Sequence, residues 1–148
     1  MVTTQFLKPS ILGNLCVICK VVDILRHPAI EDLLDNEAHA YAALQNLQGQ
    51  VIPTFYGVFK VWGILKFLAL EPVGDGISED ENINQKHRIK MKAALQCIHN
   101  AGYIHGDIAR RNFCRMQDGR IFLVDLQTCQ PARDQSELHR EMNQIDQL

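Results

Sequence analysis

Residues 103–112 have the sequence Tyr-Ile-His-Gly-Asp-Ile-Ala-Arg-Arg-Asn. Within the eight positions 105–112 this stretch places one His, one Asp, two Arg and one Asn. The helical spacing of apolar residues that precedes it stops at Gly102. Loops that carry so many polar side chains usually serve function rather than packing. The stretch is therefore predicted to be a catalytic loop.

A β-hairpin is predicted directly after this loop. Asp-Gly at 118–119 lies between two apolar runs, which is a strong hairpin signal. If these two residues form the turn, counting outward places Asn112 opposite Asp125. Opposed residues have Cβ atoms about 5 Å apart. The amide and carboxylate oxygens are thus expected to converge beside Asp107, where they suit Mg²⁺ completed by substrate phosphates.

This constellation resembles the protein kinase superfamily. His105, Asp107 and Asn112 match three of the four residues named in its His-Arg-Asp-x4-Asn motif. Asp125 stands where its Asp-Phe-Gly motif begins. The resemblance implies an α+β, protein-kinase-like two-lobed fold. A small antiparallel-sheet lobe with one helix would occupy residues 1–73, and a truncated, mainly helical second lobe would occupy residues 74–148.

The resemblance also implies a role for each residue of the loop and hairpin. Asp107 would be the base that orients a substrate hydroxyl, and Arg111 would neutralise the γ-phosphate or the substrate. Asn112 and Asp125 would hold Mg²⁺ against the phosphates of ATP. The structural alternative for His105 is a histidine tied to the backbone, which shapes the turn without moving protons.

Two buried charges are predicted upstream from hydrophobic patterning. Lys20 interrupts an apolar strand over 15–22, and Glu37 lies on the inward stripe of a helix predicted over 28–47 with Ile30, Leu33, Leu34, Ala38, Tyr41 and Leu44. A buried carboxylate needs a cation, and Lys20 is the nearest upstream candidate. The alternatives are a Lys20 that reaches solvent and Glu31 in place of Glu37. In kinases such a lysine holds the α- and β-phosphates and the glutamate positions it.

The strands predicted over about 55–61 and 64–71 are joined at 62–63 and followed by turn composition from Glu71 to Gly76. The kinase hinge lies at this point of the family's chain. The resemblance therefore implies that backbone groups of Glu71 and Val73 bind the adenine of ATP. A helix is predicted next, over about 84–101, with Gly102 as its stop signal.

Several features depart from the kinase pattern. Gly13 is the only glycine before the strand at 15–22, where kinases have a Gly-rich phosphate loop, and it forms a predicted turn with the residue after it. Gly106 replaces the kinase arginine that receives a phosphorylated activation loop, so control of that kind is not expected. After Asp125 the chain is predicted to form a short loop and one amphipathic helix with the stripe Leu138, Met142 and Ile145. This outline resembles compact kinase-like proteins of fungal genomes.

The sequence thus predicts an ATP- and Mg²⁺-dependent phosphotransferase acting on a hydroxyl of a protein or a small molecule. The small-molecule option stays open because His-Gly-Asp at 105–107 is also similar to aminoglycoside and choline phosphotransferases. One alternative is a catalytically inactive remnant that binds nucleotide or a partner protein. A gene fragment without a stable function is the other. The site residues favour the enzyme, whereas the missing glycines and the length of 148 residues favour the alternatives.

Charge and hydrophobicity limit the kinds of binding partner and the cellular compartment that the sequence predicts. The formal net charge of −2 gives no reason to expect nucleic acid or an anionic membrane. Lys60 and Lys66 interrupt the one long apolar run, and the start of the chain lacks the features of a secretion signal, so a soluble, cytoplasmic protein is expected. Cys16 and Cys19 have zinc-like spacing but would point to opposite faces of a strand, so both are predicted to be core cysteines.

Overall fold

The computed structural model describes residues 5–12 and 15–148 and has a mixed α+β architecture with small antiparallel sheets. Its helices are α1 (Pro28–Ala43), α2 (Gln85–Asn100) and α3 (Gln135–Gln144). The strands are β1 (Gln5–Leu12), β2 (Leu15–Asp23), β3 (Phe55–Val61), β4 (Leu65–Leu70), β5 (Asp75–Gly76), β6 (Tyr103–Ile104), β7 (Phe113–Arg115), β8 (Ile121–Leu123) and β9 (Gln130–Pro131). Short 3₁₀ turns cover Gln45–Leu47, Arg110–Asn112, Leu126–Thr128 and Ile145–Gln147.

The largest sheet has the strand order β1-β2-β4-β3. Lys20 lies opposite Leu68 in the β2–β4 ladder, and alternation along β2 puts Lys20 and Val22 on the face that α1 covers. The strands predicted over 15–22, 55–61 and 64–71 are all present, with ends shifted by one residue at most. The turn predicted at 13–14 falls outside the described residues.

Helix α1 ends four residues before the predicted boundary, and a 3₁₀ turn takes its place. Its buried spine is Ile30, Leu34, Glu37, Tyr41 and Leu44, which alternates steps of four and three residues and so follows one side of a helix. The placement of Leu33 on this stripe was wrong. Its side chain points about 100° away from Leu34 and is 40% exposed.

Helix α2 matches its prediction closely. The Asn84 side chain accepts a hydrogen bond of 3.0 Å from the backbone N–H of His87, which caps the first turn. Gly102, with φ +83°, ends the helix in the left-handed conformation. The inward face carries Met91, Ala94, Leu95 and Ile98, all buried. No helix in the described part of the chain combines the length and the apolarity needed to cross a bilayer.

The β7–β8 hairpin is one residue out of the predicted register, because its turn contains three residues rather than two. The third, Gly119, has φ +82°, which completes a three-residue hairpin loop. The predicted pairing of Asn112 with Asp125 is therefore wrong. Asn112 lies opposite Val124, whose N–H donates to the Asn112 carbonyl at 3.0 Å, and Asp125 follows directly after the ladder.

Helix α3 begins after Asp134, whose carboxylate accepts the backbone N–H of Glu137 at 3.0 Å. The predicted stripe is only partly correct. Ile145 is fully buried just after the helix, but the buried residues within it are Glu137 and Glu141. The carboxylate of Glu137 is satisfied locally by Arg133, whose backbone N–H donates to it at 2.8 Å. Glu141 reaches the loop predicted to be catalytic.

Candidate functional site

A buried lysine joins three distant parts of the chain. The Nζ of Lys20 lies 2.7 Å from Oε2 of Glu37 and 2.8 Å from Oδ1 of Asp125. Lys20 and Glu37 are almost fully buried, while the Asp125 side chain is 34% exposed. The predicted Lys20–Glu37 pair is confirmed. The competing choice, Glu31, instead pairs with Lys60 at 2.6 Å.

Asp125 reaches Lys20 because the backbone turns sharply after β8. Its φ of +64° is left-handed, a conformation that only glycine adopts freely but that Asp tolerates better than most residues. The chain then enters the turn Leu126–Thr128, and Leu126 is fully buried in the core that α1 also enters. Burial of Leu126 thus offsets the cost of the strained residue that precedes it.

The charge state of Glu37 depends on its neighbours. Burial raises the pKa of this carboxyl, the nearby Lys20 ammonium lowers it, and the charge of Asp125 raises it again. The net result is a pKa above the ordinary value for glutamate. The positive charge of Lys20 therefore reduces the repulsion between the carboxylates of Glu37 and Asp125.

The three residues predicted to be catalytic form one hydrogen-bonded group. Nδ2 of Asn112 donates to the carbonyl and to Oδ2 of Asp107, both at 2.9 Å. Nη2 of Arg111 donates to the same Oδ2 at 2.6 Å. Asn112 is buried and Arg111 is exposed, so the Asp107 carboxylate is held from the interior and from the surface at once.

A cavity of about 440 Å³ connects the two groups. Of the predicted site residues, it is lined by Lys20, Glu71, Val73, Arg111, Asn112 and Asp125. The Glu71 carboxylate is already engaged, since its Oε2 accepts from the N–H and the hydroxyl of Thr54 at 3.0 and 2.7 Å. Apolar walls come from Ile18, Leu70, Val73, Cys114 and Val124. The cavity therefore combines an apolar chamber with a charged end.

Two glycines let the segment after Val73 approach the loop predicted to be catalytic. A Cβ atom at Gly74, where φ is +85°, would overlap the carbonyl of Arg115, and one at Gly76 would overlap the carbonyl of Arg111. This close approach allows β5 to pair with β7 and to form one side of the cavity.

Glu141 is a site-positioning residue that sequence reasoning missed. Its Oε2 accepts from Nε2 of His99 at 2.7 Å and from the N–H of His105 at 3.1 Å, and its Oε1 accepts from the N–H of Gly106 at 2.6 Å. The carboxylate thus anchors the backbone directly before Asp107. The sequence signal that could have identified Glu141 is a charged residue beside an apolar helical stripe. The same signal led to the prediction that Glu37 is buried.

His105 takes the structural role that was one of its two predicted possibilities. Its Nε2 lies 2.9 Å from the carbonyl of Val124, and the N–H of Asp107 donates to its Nδ1 at 3.3 Å. Burial lowers the pKa of this imidazole, so it is neutral at physiological pH. The ring ties the loop at 103–112 to the end of β8.

Replacing Glu141 with Gln is expected to remove the acid dependence that this carboxylate gives to stability. Burial raises the pKa of Glu141, but hydrogen bonds from His99, Gly106 and His105 outweigh it and leave the pKa lowered. A lowered carboxyl pKa stabilises the fold above the unfolded value, near 4.5, and that contribution is lost as the pH falls below it.

Urea unfolding across the acid range measures this effect. We expect Glu141→Gln to cost about 1–3 kcal/mol at neutral pH and to show a shallower loss of stability in acid. Glu79→Gln, on an exposed side chain, is the matched control. Parallel pH profiles for the wild type and Glu141→Gln would contradict the assignment.

The two cysteines that were predicted to lie in the core differ in their exposure. Cys19 is half-buried, but Cys16 is exposed, so its prediction as a core residue was wrong. Cys16 lies beyond the part of β2 that pairs with β4 and is left uncovered.

No group of three or more His, Cys, Asp or Glu within 5–12 and 15–148 could hold a metal ion. The predicted Mg²⁺ ligands, Asn112 and Asp125, are a smaller set that would need phosphate oxygens to complete the shell.

No family model matches the chain. The chain is similar to Meiotic driver SPOK2 of Podospora anserina, with 29% identity over 100 residues. This match covers 62% of the chain but only 13% of the length of that relative. The likeness therefore concerns one segment of a much longer protein.

Proposed function

We propose that this chain is a phosphotransferase with a protein-kinase-like, two-lobed fold, which binds ATP with Mg²⁺ beside Lys20 and transfers the γ-phosphate to a hydroxyl. The observation that carries this proposal is the contact of Lys20 with both Glu37, 17 residues away, and Asp125, 105 residues away. The boundary between the lobes would lie after Val73. The sheet β1–β4 with α1 would be the first lobe, and α2, the β7–β8 hairpin and α3 would belong to the second.

The charges in the cavity suit a nucleotide with a cation. One lysine facing two carboxylates leaves an excess negative charge, which a divalent cation would neutralise. Asp125 is partly exposed at the cavity, and Asn112 uses its amide nitrogen for Asp107, so its amide oxygen is available as a ligand. Asn112 and Asp125 would hold Mg²⁺, whose chemical contribution is to neutralise phosphate charge.

Asp107 would act as the base. Asn112 and Arg111 both donate to its Oδ2, which fixes the carboxylate and leaves Oδ1 to accept the proton of a substrate hydroxyl. Arg111 is one of the residues that line the cavity and its side chain is 65% exposed, so its guanidinium would also meet the γ-phosphate. Positioning and charge neutralisation of this kind account for most of the catalysis of phosphoryl transfer.

The apolar end of the cavity suits a nucleobase. Thr54 holds the Glu71 side chain and also accepts the Glu71 backbone N–H at 2.9 Å, so the Glu71 carbonyl and the backbone groups of Val73 would be the polar contacts for adenine. Ile18, Leu70 and Val124 supply apolar surface on which a planar base can pack. The acceptor is a protein or a small molecule, and neither nucleic acid nor a membrane is part of the proposal. A cytoplasmic setting fits the five free cysteines.

A nucleotide-binding module without turnover is the second candidate. The sequence feature that favours it is the single glycine in residues 1–14, since kinases cover the phosphates with a Gly-rich loop. The name of the similar protein describes a whole meiotic driver and states no chemistry for the matched segment. Both candidates place nucleotide at Lys20 and differ only in whether Asp107 supports transfer.

Asp125→Asn is expected to remove the Mg²⁺ dependence of ATP binding. Asn keeps the size of the side chain and tolerates the left-handed backbone, but it removes the anionic ligand. Calorimetric titration with ATP, with and without Mg²⁺, measures the change. Asp146→Asn, on a surface pair with Lys92, is the control and should bind as the wild type does. An unaltered affinity for Mg²⁺–ATP in Asp125→Asn would refute the metal assignment.

A further inference from the structure

Two buried polar atoms lie behind the Lys20 site without a hydrogen-bond partner among the residues that the structure describes. They are Oε1 of Glu37 and the hydroxyl of Tyr41, and both side chains have no exposed surface. Nearly all buried carboxylate and hydroxyl oxygens in folded proteins have a partner. Two such atoms on residues one helical turn apart therefore call for a polar link between them.

The position of Tyr41 on α1 makes such a link geometrically natural. Residues 37 and 41 are one helical turn apart, so their side chains share a face, and the longer one leans toward the helix N-terminus over the shorter. The Tyr41 ring is fixed by stacking on Phe55, with 5.5 Å between ring centroids and 12° between planes. Its hydroxyl is thus held at a set depth in the interior.

Charged and titratable groups from several elements face this hydroxyl. Burial raises the pKa of Tyr41 most, followed by the charges of Glu37, Asp125, Cys114 and Cys129. Among these charges, that of Glu37 raises the pKa of Tyr41 most. On the other side, Glu37 faces Lys20 and Asp125, and the backbone N–H of Leu126 interacts with its carboxylate and lowers its pKa. Oε1 nevertheless has no partner at hydrogen-bond geometry among the described residues. Oε1 and the Tyr41 hydroxyl are therefore the groups still in need of a partner.

We propose that one buried water molecule links the Tyr41 hydroxyl to Oε1 of Glu37, which makes Tyr41 a positioning residue for Lys20. Tyr41 donates to the water, and the water donates to the carboxylate. Buried waters commonly connect otherwise unsatisfied polar groups in this way. A phenylalanine would stack on Phe55 as well, so the hydroxyl serves this polar link. Its relevance to phosphate binding rests on the proposed function, whereas the link itself does not.

The decisive experiment is a carboxyl ¹³C NMR titration of Glu37 without nucleotide, in the wild type and in Tyr41→Phe. Loss of a donor to the anion should raise the pKa of Glu37 by about 1. Tyr56→Phe removes a hydroxyl from the half-buried strand β3 and should leave that pKa unchanged. An equal Glu37 pKa in the wild type and in Tyr41→Phe overturns the proposal.

A wild-type crystal structure tests the water directly and does not depend on the variant. We expect one ordered water within hydrogen-bond distance of both atoms, and a dry gap or a direct contact between them would overturn the link. An Mg²⁺–ATP titration then separates the two claims. If Tyr41→Phe raises the Glu37 pKa but the wild type does not bind Mg²⁺–ATP, the link stands and the proposed function fails.

Discussion

Lys20→Met is expected to destabilise the fold by about 3–5 kcal/mol, because it leaves the carboxylates of Glu37 and Asp125 without the cation that lies between them. Methionine fills most of the space of the lysine stem, so the loss reports the charge rather than a cavity. The raised pKa of Glu37 indicates how strongly burial already opposes its anion, even with Lys20 beside it. Urea unfolding at neutral pH measures the change in the free energy of unfolding.

The control for this variant is Lys60→Met. Lys60 also pairs with a glutamate, Glu31, at 2.6 Å, but its side chain is 53% exposed, so water replaces the lost partner and the stability should hardly change. A double-mutant cycle of Lys20→Met with Glu37→Gln should show strong coupling, because removing both charges returns the site to its wild-type net charge. Additive losses would show that the two side chains do not act as one unit.

Asp107→Asn is expected to reduce γ-phosphate transfer by a factor of about 100 or more, the scale of positioned acid–base catalysis. Asparagine can still accept the hydrogen bonds that Arg111 and Asn112 now donate to Oδ2, but it cannot take a proton from a hydroxyl. Affinity for Mg²⁺–ATP should remain close to that of the wild type, because in the proposed site the phosphates, the cation and the hinge backbone would provide it. Labelled ATP offered with the protein itself, a protein mixture or a panel of amino-alcohols measures the transfer.

Two comparisons make this assay decisive. Asp80→Asn changes an exposed carboxylate in the loop before α2 and should transfer phosphate at the wild-type rate. If the wild type binds nucleotide but transfers no phosphate above the Asp107→Asn background, the enzyme proposal is wrong. The chain is then a nucleotide-binding module, which is the alternative that its single glycine in residues 1–14 favours.

The elements with clear periodicity could be predicted from the sequence. Helix α2 and the strands β2, β3 and β4 were located to within about a residue, because apolar spacing and turn residues are local signals. The Lys20–Glu37 pair was also predictable, since each charge interrupts an otherwise apolar face. The cost of burying a charge without a partner pointed from one residue to the other.

The features that the sequence did not predict correctly are set by tertiary structure or by turn geometry. The Asp-Gly pair at 118–119 is compatible with a two-residue or a three-residue hairpin loop, and the second choice moved Asn112 opposite Val124. The contact of Asp125 with Lys20 spans 105 residues, and no sequence pattern encodes it. Glu141 lies beside a stripe of apolar residues in α3, and only its contacts with the backbone of His105 and Gly106 reveal why it is buried.

Thermal melting with ATP, in the presence and in the absence of Mg²⁺, tests the central claim most directly. A ligand that binds only the folded state stabilises it by RT ln(1 + [L]/Kd), about 2.7 kcal/mol at a hundredfold excess over Kd. The proposed site predicts a melting temperature several degrees higher with ATP and Mg²⁺ together. It also predicts a clearly smaller rise in Lys20→Met, measured against that variant without ligand. Identical wild-type melting curves with and without Mg²⁺–ATP, at millimolar nucleotide, would contradict it.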